Sequence, residues 1–308
     1  MIISTNTVNG VEIITAENDQ ILCKVAPALG GKITSLYNKS LDKEFLWSNA
    51  GLPLQILKPG ADYDSNFWGG IDELIPNDIP ETVDSIPYPD HGELWTTPLT
   101  HAFTDQQIIV KGILPLSGLY YERILSMDEA LPVIHLRYRI VNQSGARRHF
   151  LWKMHAALKI SAGDKLLTGA LKGKVVDPQY SRFTNTEPFD WPVIEGIDAS
   201  VVPVRDNTMD FFYLYNMPEG EMQMTNNADG SLFAYRYDKK VFPYQWYFAS
   251  YGKFLGHYTA ILEPCSCMLL SVNEAKQDQQ CSILEPDQEI NASVRIFAGE
   301  KINYVSHL

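Results

Sequence analysis

The sequence predicts an all-β protein, built as a large antiparallel β-sandwich. Period-two alternation of apolar and polar residues is the dominant periodic signal, and no stretch carries a sustained helical stripe. The 20 glycines and 18 prolines are spread along the chain, as expected for turns between many strands. A length of 308 residues is admissible for one large β domain, so we predict a single domain over residues 1–308.

The clearest strand signal runs from Val133 to Ile140. Apolar side chains at the even positions alternate with His135, Arg137 and Arg139 at the odd ones. This pattern predicts a half-buried antiparallel strand.

A second alternating segment follows the turn-forming residues 142–146. Phe150, Trp152 and Met154 would share one face, and Leu151, Lys153 and His155 the other. We predict that these two segments pair as a hairpin.

Further short runs of β-branched, aromatic and aliphatic residues are bounded by turn formers and predict additional strands. They cover residues 20–25, 32–37, 107–113, 120–127, 211–215, 232–237, 246–251, 257–262, 268–273 and 290–297. Residues 47–104 and 171–205 are rich in Pro, Asp and Asn and predict long loops, where binding residues tend to concentrate.

Composition and charge restrict the classes of partner. Hydrophobic residues make up 45% of the chain and charged residues 20%, as in an ordinary soluble globular protein. The net charge of −12 provides no basic stripe and repels nucleic acid and anionic lipid. We therefore expect no nucleic acid or membrane partner and favour a neutral small molecule.

The four cysteines, Cys23, Cys265, Cys267 and Cys281, do not form a disulfide-dense pattern or a zinc-ribbon spacing. The first residues lack a basic region followed by a long apolar run. Reduced thiols and a cytoplasmic location are the expectations that follow.

Three separated segments carry the residue types needed for acid/base chemistry. They are 89–95 (PDHGELW), 151–155 (LWKMH) and 261–264 (ILEP), and they supply His91, His155 and Glu263. A general acid and a general base can be built from two histidines and a carboxylate without a metal or a nucleophile.

These segments resemble the signature segments of the aldose 1-epimerase (galactose mutarotase-like) family. Residues 29–36 (LGGKITSL) are similar to the family's Gly-Gly-basic strand entry. Residues 284–289 (LEPDQE) stand where the family often has Leu-x-Pro-Gly-Glu. The matches run in order from about Gly30 to Phe297, and the resemblance implies the family's large β-sandwich, the galactose mutarotase-like supersandwich.

The resemblance also implies a reaction and its residues. It makes His155 the general acid toward the ring oxygen of a pyranose and Glu263 the general base that takes the anomeric proton. His91 would stabilise negative charge developing on the ring oxygen, with Glu93 near enough in sequence to orient it. The expected protein is a cofactor-free and metal-free isomerase that acts on a small-molecule sugar, as a monomer or homodimer.

Several other residues are candidates for sugar contacts. Trp68, Trp95 and Trp246 could stack on the apolar face of a sugar, although buried tryptophans often only fill a core. Asp72 and Glu73 could accept sugar hydroxyls or could cap a loop, and Glu93 is a further candidate for substrate binding.

One departure from the family pattern concerns arginine. Better-known galactose mutarotases carry an arginine in the loop before the first histidine, where this chain reads SNFWGG at 65–70. No arginine precedes Arg123. The sugar contacts of that arginine must be absent or replaced.

Three alternatives remain open at the level of sequence. A hexose-6-phosphate 1-epimerase would need a basic cluster, for which Arg147 and Arg148 are the only paired arginines. A non-catalytic carbohydrate-binding module could keep the same fold. A cupin-type metal site could use His91 and His155, but the usual His-x-His cluster is absent.

Overall fold

A computed structural model describes residues 1–304. Its regular structure is almost entirely antiparallel β. The strands, in chain order, are β1 (Ile2–Val8), β2 (Val11–Glu17), β3 (Ile21–Ala26), β4 (Lys32–Asn38), β5 (Lys43–Glu44), β6 (Ile71–Leu74), β7 (Glu81–Val83), β8 (Ile86–Tyr88), β9 (Thr100–Thr104), β10 (Gln107–Ile113), β11 (Leu119–Met127), β12 (Val133–Asn142), β13 (Arg148–Phe150), β14 (Lys153–Lys159), β15 (Lys165–Thr168), β16 (Lys172–Val175), β17 (Phe189–Asp190), β18 (Val193–Ile194), β19 (Ile197–Asp198), β20 (Met209–Tyr215), β21 (Glu221–Thr225), β22 (Ser231–Tyr237), β23 (Tyr244–Tyr251), β24 (Tyr258–Cys265), β25 (Ser282–Leu284) and β26 (Glu289–Glu300).

One short α-helix, α1 (Val272–Gln277), follows β24, and five 3-10 turns lie in the connections. The turns cover Pro27–Leu29, Asp64–Asn66, Leu94–Thr96, Pro178–Tyr180 and Lys301–Asn303. Within residues 1–304, no helix has the length and apolar character required to cross a bilayer.

Two large sheets form the body of the molecule. The twelve-stranded sheet has the order β1-β2-β3-β4-β6-β14-β24-β23-β20-β16-β17, with β5 paired to β4. The eight-stranded sheet has the order β15-β21-β22-β26-β12-β11-β10-β9. Three two-stranded ribbons, β13-β25, β18-β19 and β7-β8, lie outside them.

The main core lies between the two sheets. It is one continuous cluster of buried apolar side chains that draws on both sheets, for example Leu136 and Tyr138 from β12 and Met154 and Ala156 from β14. Because side chains alternate along a strand, Lys153 and His155 project from the opposite face of the twelve-stranded sheet. That outer face is covered by loops and carries the site described below.

Most predicted strands are confirmed, including the alternation within β12 and β14. The predicted hairpin is wrong, because β12 pairs with β11 and β26 while β14 pairs with β6 and β24 in the other sheet. The intervening β13 pairs with β25 and carries the chain across between the sheets. The strand predicted at 268–273 is also wrong: this segment leads into α1, whose first turn is capped by the Ser271 hydroxyl.

The two predicted loop regions do contain the long connections. They also contain short strands, of which β6 is inserted in the middle of the twelve-stranded sheet between β4 and β14. Three of the four cysteines, Cys23, Cys265 and Cys267, are buried, and all four are free thiols.

Candidate active site

A row of side chains crosses the outer face of the twelve-stranded sheet. His155 of β14 lies opposite Asp72 of β6, and Glu263 of β24 lies opposite Trp246 of β23. Ala156 faces Leu262 across β14 and β24, so the same register brings His155 opposite Glu263. Neighbouring strands lie about 4.8 Å apart, and the histidine and the glutamate are therefore cross-strand neighbours on one face.

His155 is 5% exposed and is held by aromatic side chains. Its Nδ1 lies 3.3 Å from the Tyr63 hydroxyl, and the Phe67 ring meets the imidazole edge to face. Burial, reinforced by the charges of Lys153, His91 and Lys32, lowers the pKa of His155 well below its usual value. The unperturbed pKa of ~6.5 expected from sequence does not apply, and the imidazole is neutral at pH 7.

Glu263 is 1% exposed and shares the Lys153 ammonium with Asp78. The Lys153 Nζ lies 2.7 Å from Glu263 Oε2 and 2.5 Å from Asp78 Oδ1. Burial raises the pKa of Glu263, and the charge of Lys153 opposes this rise. A raised pKa makes the carboxylate a stronger base than a free glutamate.

His91 reaches the same place from a loop. Its ring stacks on Tyr63 with centroids 3.9 Å apart and an interplanar angle of 7°. Its Nδ1 lies 3.0 Å from Asp90 Oδ1, and its backbone N–H donates to the Asp78 carbonyl at 2.6 Å. The backbone of His91 is left-handed, with φ of 57°, which is uncommon for a residue with a side chain.

These groups line an open cleft, which together with the solvent space at its mouth has a volume of about 600 Å³. His91, Lys153, His155 and Glu263 are all on its surface, together with Asp64 and Asp78. Aromatic rings make up much of the remaining wall: Tyr63, Phe67, Tyr180, Phe211, Phe248 and Phe254. A few convergent polar groups within an aromatic wall are typical of a small-molecule site.

Asp72 and Glu73 point in opposite directions from β6. Asp72 is buried on the outer side, where it pairs with Lys32 at 2.6 Å and accepts from Tyr63 at 3.0 Å. Asp72 therefore contacts Tyr63, which in turn contacts His155, and Asp72 does not line the cleft. Glu73 is buried between the sheets and pairs with Arg123 at 2.8 Å, which removes both groups from the site.

Glu93 does not orient His91. Its carboxylate accepts the backbone N–H groups of Leu116 and Ser117, at 2.6 and 2.9 Å. Glu93 is thus a loop anchor, and the structure places it outside the cleft-lining set.

The three tryptophans also lie behind the cleft or beside it. Trp246 is fully buried beneath Lys153, whose Nζ lies 4.2 Å from the ring centroid. Trp95 packs edge-on against Tyr63, and Trp68 lies in a neighbouring pocket lined by the 52–57 loop. The rings that face the cleft are instead the tyrosines and phenylalanines named above.

Sequence reasoning missed Asp78, Tyr63 and the role of Lys153 next to Glu263. Asp78 and Tyr63 lie in loop regions without periodicity, so no pattern marked them. Lys153 did carry a signal, since a lysine on a strand face shared with His155 must either reach water or find a carboxylate. The paired arginines were a false signal: Arg147 pairs with Glu285 and Arg148 donates to the Ser117 carbonyl, both away from the cleft.

Within residues 1–304, no group of three or more His, Cys, Asp and Glu side chains has the arrangement of a metal site.

No protein-family model and no curated protein matches the chain. Solved structures do match, at low sequence identity. A galactose mutarotase-like protein from Clostridium acetobutylicum is 14% identical, with a TM-score of 0.70 over 97% of this chain and 99% of that chain. A galactose mutarotase-like protein from Lactobacillus casei ATCC 334 is 15% identical, with a TM-score of 0.67 over 93% and 99%. A protein from Escherichia coli K12 named as a candidate aldose 1-epimerase is 12% identical, with a TM-score of 0.71 over 94% and 99%. The chain therefore has the β-sandwich fold of the galactose mutarotase-like proteins, as the sequence resemblance implied.

Proposed function

We propose that this protein is an aldose 1-epimerase that interconverts the α and β anomers of a neutral aldose. The observation that carries the proposal is the placement of His155 and Glu263 as cross-strand neighbours in one aromatic cleft. A proton donor and a proton acceptor held side by side match what opening of a sugar ring requires.

In the proposed reaction, Glu263 accepts the proton of the anomeric hydroxyl. The bond between C1 and the ring oxygen then breaks, its electron pair moves to the ring oxygen, and His155, which carries the proton shared by the pair in the reactive minor form, delivers that proton there. The product is the open-chain aldehyde. Rotation about the C1–C2 bond and reclosure, with the two groups in reversed roles, give the other anomer.

This cycle needs one proton shared between the two groups. Burial raises the pKa of Glu263 and lowers that of His155, so the proton resides on the imidazole less than it would for free side chains. Activity is expected to follow a bell-shaped pH profile. Activity falls at low pH because both groups are protonated, and it falls at high pH because the shared proton is lost. The two apparent pKa values of the profile belong to the pair and not to either residue alone.

Neighbouring residues would support these steps. The Tyr63 hydroxyl fixes the orientation of the His155 ring through Nδ1. His91, pressed against Tyr63, would donate to the oxygen that gains negative charge. The aromatic wall would bind the apolar face of the sugar and exclude water.

A neutral sugar is favoured by the charges of the cleft. Among its lining residues in the described part of the chain, Lys153 is the only lysine or arginine, and it is already paired with two carboxylates. A phosphate group would have no free cation to bind. This supports an aldose over its 6-phosphate.

The test is mutarotation of freshly dissolved α-anomers of a panel of neutral aldoses, followed by polarimetry with and without protein. We expect acceleration for at least one aldose, lost in Glu263→Gln. Saturable sugar binding without acceleration of any aldose would instead identify a carbohydrate-binding module.

A further inference from the structure

Lys153 is a buried ammonium group placed between two carboxylates on the floor of the cleft. It is 2% exposed, and its Nζ lies within 2.7 Å of both Asp78 and Glu263. The Trp246 ring closes the site from below, with its centroid 4.2 Å from Nζ. Lys153 is therefore fixed in position by groups on three sides.

The chemistry of Lys153 is electrostatic. The charges of Asp78 and Glu263 outweigh burial and raise the pKa of Lys153 above its usual value, so the amine stays protonated and is no nucleophile. Its two carboxylate partners also balance its positive charge, so that it has no net positive charge to attract an anionic ligand. What remains is its effect on the groups beside it.

Charged groups approach Glu263 from several elements. Lys153 comes from β14, Asp78 from the loop after β6 and His91 from the loop after β8; Lys153 and His91 lower the pKa of Glu263, whereas Asp78 raises it. His155, its neighbour on β14, is neutral.

Three further titratable groups lie close by but carry no charge near neutrality. Burial raises the pKa of Cys265, Tyr63 and Tyr235 well above their usual values. Lys153 also acts on His155, whose pKa it lowers together with His91 and Lys32. Lys153 thus acts on both members of the proton-transfer pair, and its second carboxylate partner, Asp78, lies outside that pair.

We propose that Lys153 and Asp78 form a charge pair that sets the pH range over which His155 and Glu263 exchange a proton. The proposal rests on the proposed function for its catalytic meaning. Its electrostatic part, the effect of the charge pair on Glu263 and His155, concerns the protein without substrate. Lys153 and Asp78 are positioning residues here, since neither needs to touch a transferred proton.

The two partners are expected to act in opposite directions. Lys153→Met removes a cation that favours the deprotonated forms of Glu263 and His155, so both groups should hold protons to higher pH. Asp78→Asn removes an anion that favours protonated Glu263, so that carboxylate should ionise at lower pH. An opposite charge at this distance typically shifts a pKa by about one to three units.

The first measurement needs no substrate. Carbon-13 carboxyl NMR titration would follow Glu263, assigned by the signal lost in Glu263→Gln, in the wild type, Lys153→Met and Asp78→Asn. We expect the Glu263 midpoint to rise by about one unit or more in Lys153→Met and to fall in Asp78→Asn. The double variant Lys153→Met/Asp78→Asn should lie between the single variants, and it avoids leaving two carboxylates unpaired if Lys153→Met folds poorly.

The second measurement is the pH profile of kcat/KM for mutarotation. Both limbs should move to higher pH in Lys153→Met, and the acid limb to lower pH in Asp78→Asn. A Glu263 midpoint that does not move in the folded single or double variants overturns the proposal. If the Glu263 midpoint shifts in the variants but the wild-type protein accelerates no aldose, the charge pair is supported and only the proposed function is rejected.

Discussion

At the scale of single residues, burial acts in opposite directions on the two candidate proton carriers. It disfavours the charged form of each, so it raises the pKa of Glu263 and lowers that of His155. Both shifts oppose the usual order of the two values, ~4.3 for glutamate and ~6.5 for histidine. Opposite shifts of this kind favour the form of the pair in which the shared proton resides on Glu263.

We expect His155→Asn and Glu263→Gln each to reduce kcat for mutarotation by about 100-fold or more, because each removes one proton-transfer partner. Polarimetry on the substrate found in the panel provides the measurement. Unchanged far-UV circular dichroism serves as the folding control. Near-wild-type turnover in either variant would show that the residue has been given the wrong role.

His91→Asn is expected to cost less, about tenfold in kcat, because it removes a stabilising hydrogen bond and not the transferred proton. Its ring also stacks on Tyr63, so part of the effect could come from displacement of Tyr63. His91→Phe keeps the stacking ring without the donor and is the matched variant. If His91→Phe turned over at the wild-type rate, stacking alone would account for His91.

At the scale of elements, the twelve-stranded sheet positions the proton-transfer pair, and loops supply the other polar residues of the cleft. β14 and β24 carry His155 and Glu263, while the loop that contains Asp78 and the loop that contains His91 are joined by the backbone bond between those two residues. The turn at 91–92 is tightly constrained. An added Cβ at Gly92, where φ is +73°, would meet the Ile75 carbonyl oxygen at 2.3 Å.

Gly92→Ala is therefore expected to destabilise the protein by about 1–3 kcal/mol and to lower activity by displacing His91. Gly60→Ala is the control, because Gly60 has a similar φ of +76° but open space around its Cβ position. Urea unfolding monitored by tryptophan fluorescence would compare the two. Equal losses in both variants would mean that backbone strain, and not the contact with Ile75, determines the cost.

The sequence predicted elements well where a strand has one buried face. β10 and β12 were recognisable because alternation reports burial on one side only. β24 is buried along nearly its whole length, and pairing partners cannot be read from such a pattern. The hairpin was wrongly predicted because the alternation of β12 and β14 does not identify their partners. It is equally compatible with pairing of the two strands within one sheet and with packing of the two strands in different sheets.

The candidate site was predictable in its signature residues only. His91, His155 and Glu263 stand in segments that resemble a family, and the structure brings them to one cleft. Asp72 and Glu93 looked like sugar ligands because both are acids near the signature segments. The structure instead pairs Asp72 with Lys32 and commits Glu93 to two backbone N–H groups, contacts that depend on distant parts of the chain.

At the scale of the whole molecule, charge is the property that bears on substrate choice. The negative net charge of −12 has a local counterpart at the cleft. Three acids, Asp64, Asp78 and Glu263, line it, and Lys153 is the only lysine or arginine among its lining residues in the described chain. Long-range repulsion and local desolvation therefore act together against an anionic ligand.

We expect kcat/KM for anomerisation to be about tenfold or more higher for a free hexose than for its 6-phosphate. The comparison should be repeated at high salt, which screens the long-range repulsion and should narrow the difference in kcat/KM between the two substrates. A preference for the phosphate would contradict the charge argument and direct attention to Lys153.

The row that carries the proposed chemistry runs across strands, whereas the walls of the cleft come largely from connections between strands. The residues of the row stand on neighbouring strands of the twelve-stranded sheet, but the aromatic wall includes side chains such as Tyr180 and Phe254 outside the regular strands. The two parts can accordingly vary independently. Grafting new connections onto this scaffold should change which sugars are accepted while the proton-transfer pair keeps its spacing, which makes the protein a candidate starting point for laboratory evolution of new sugar specificities.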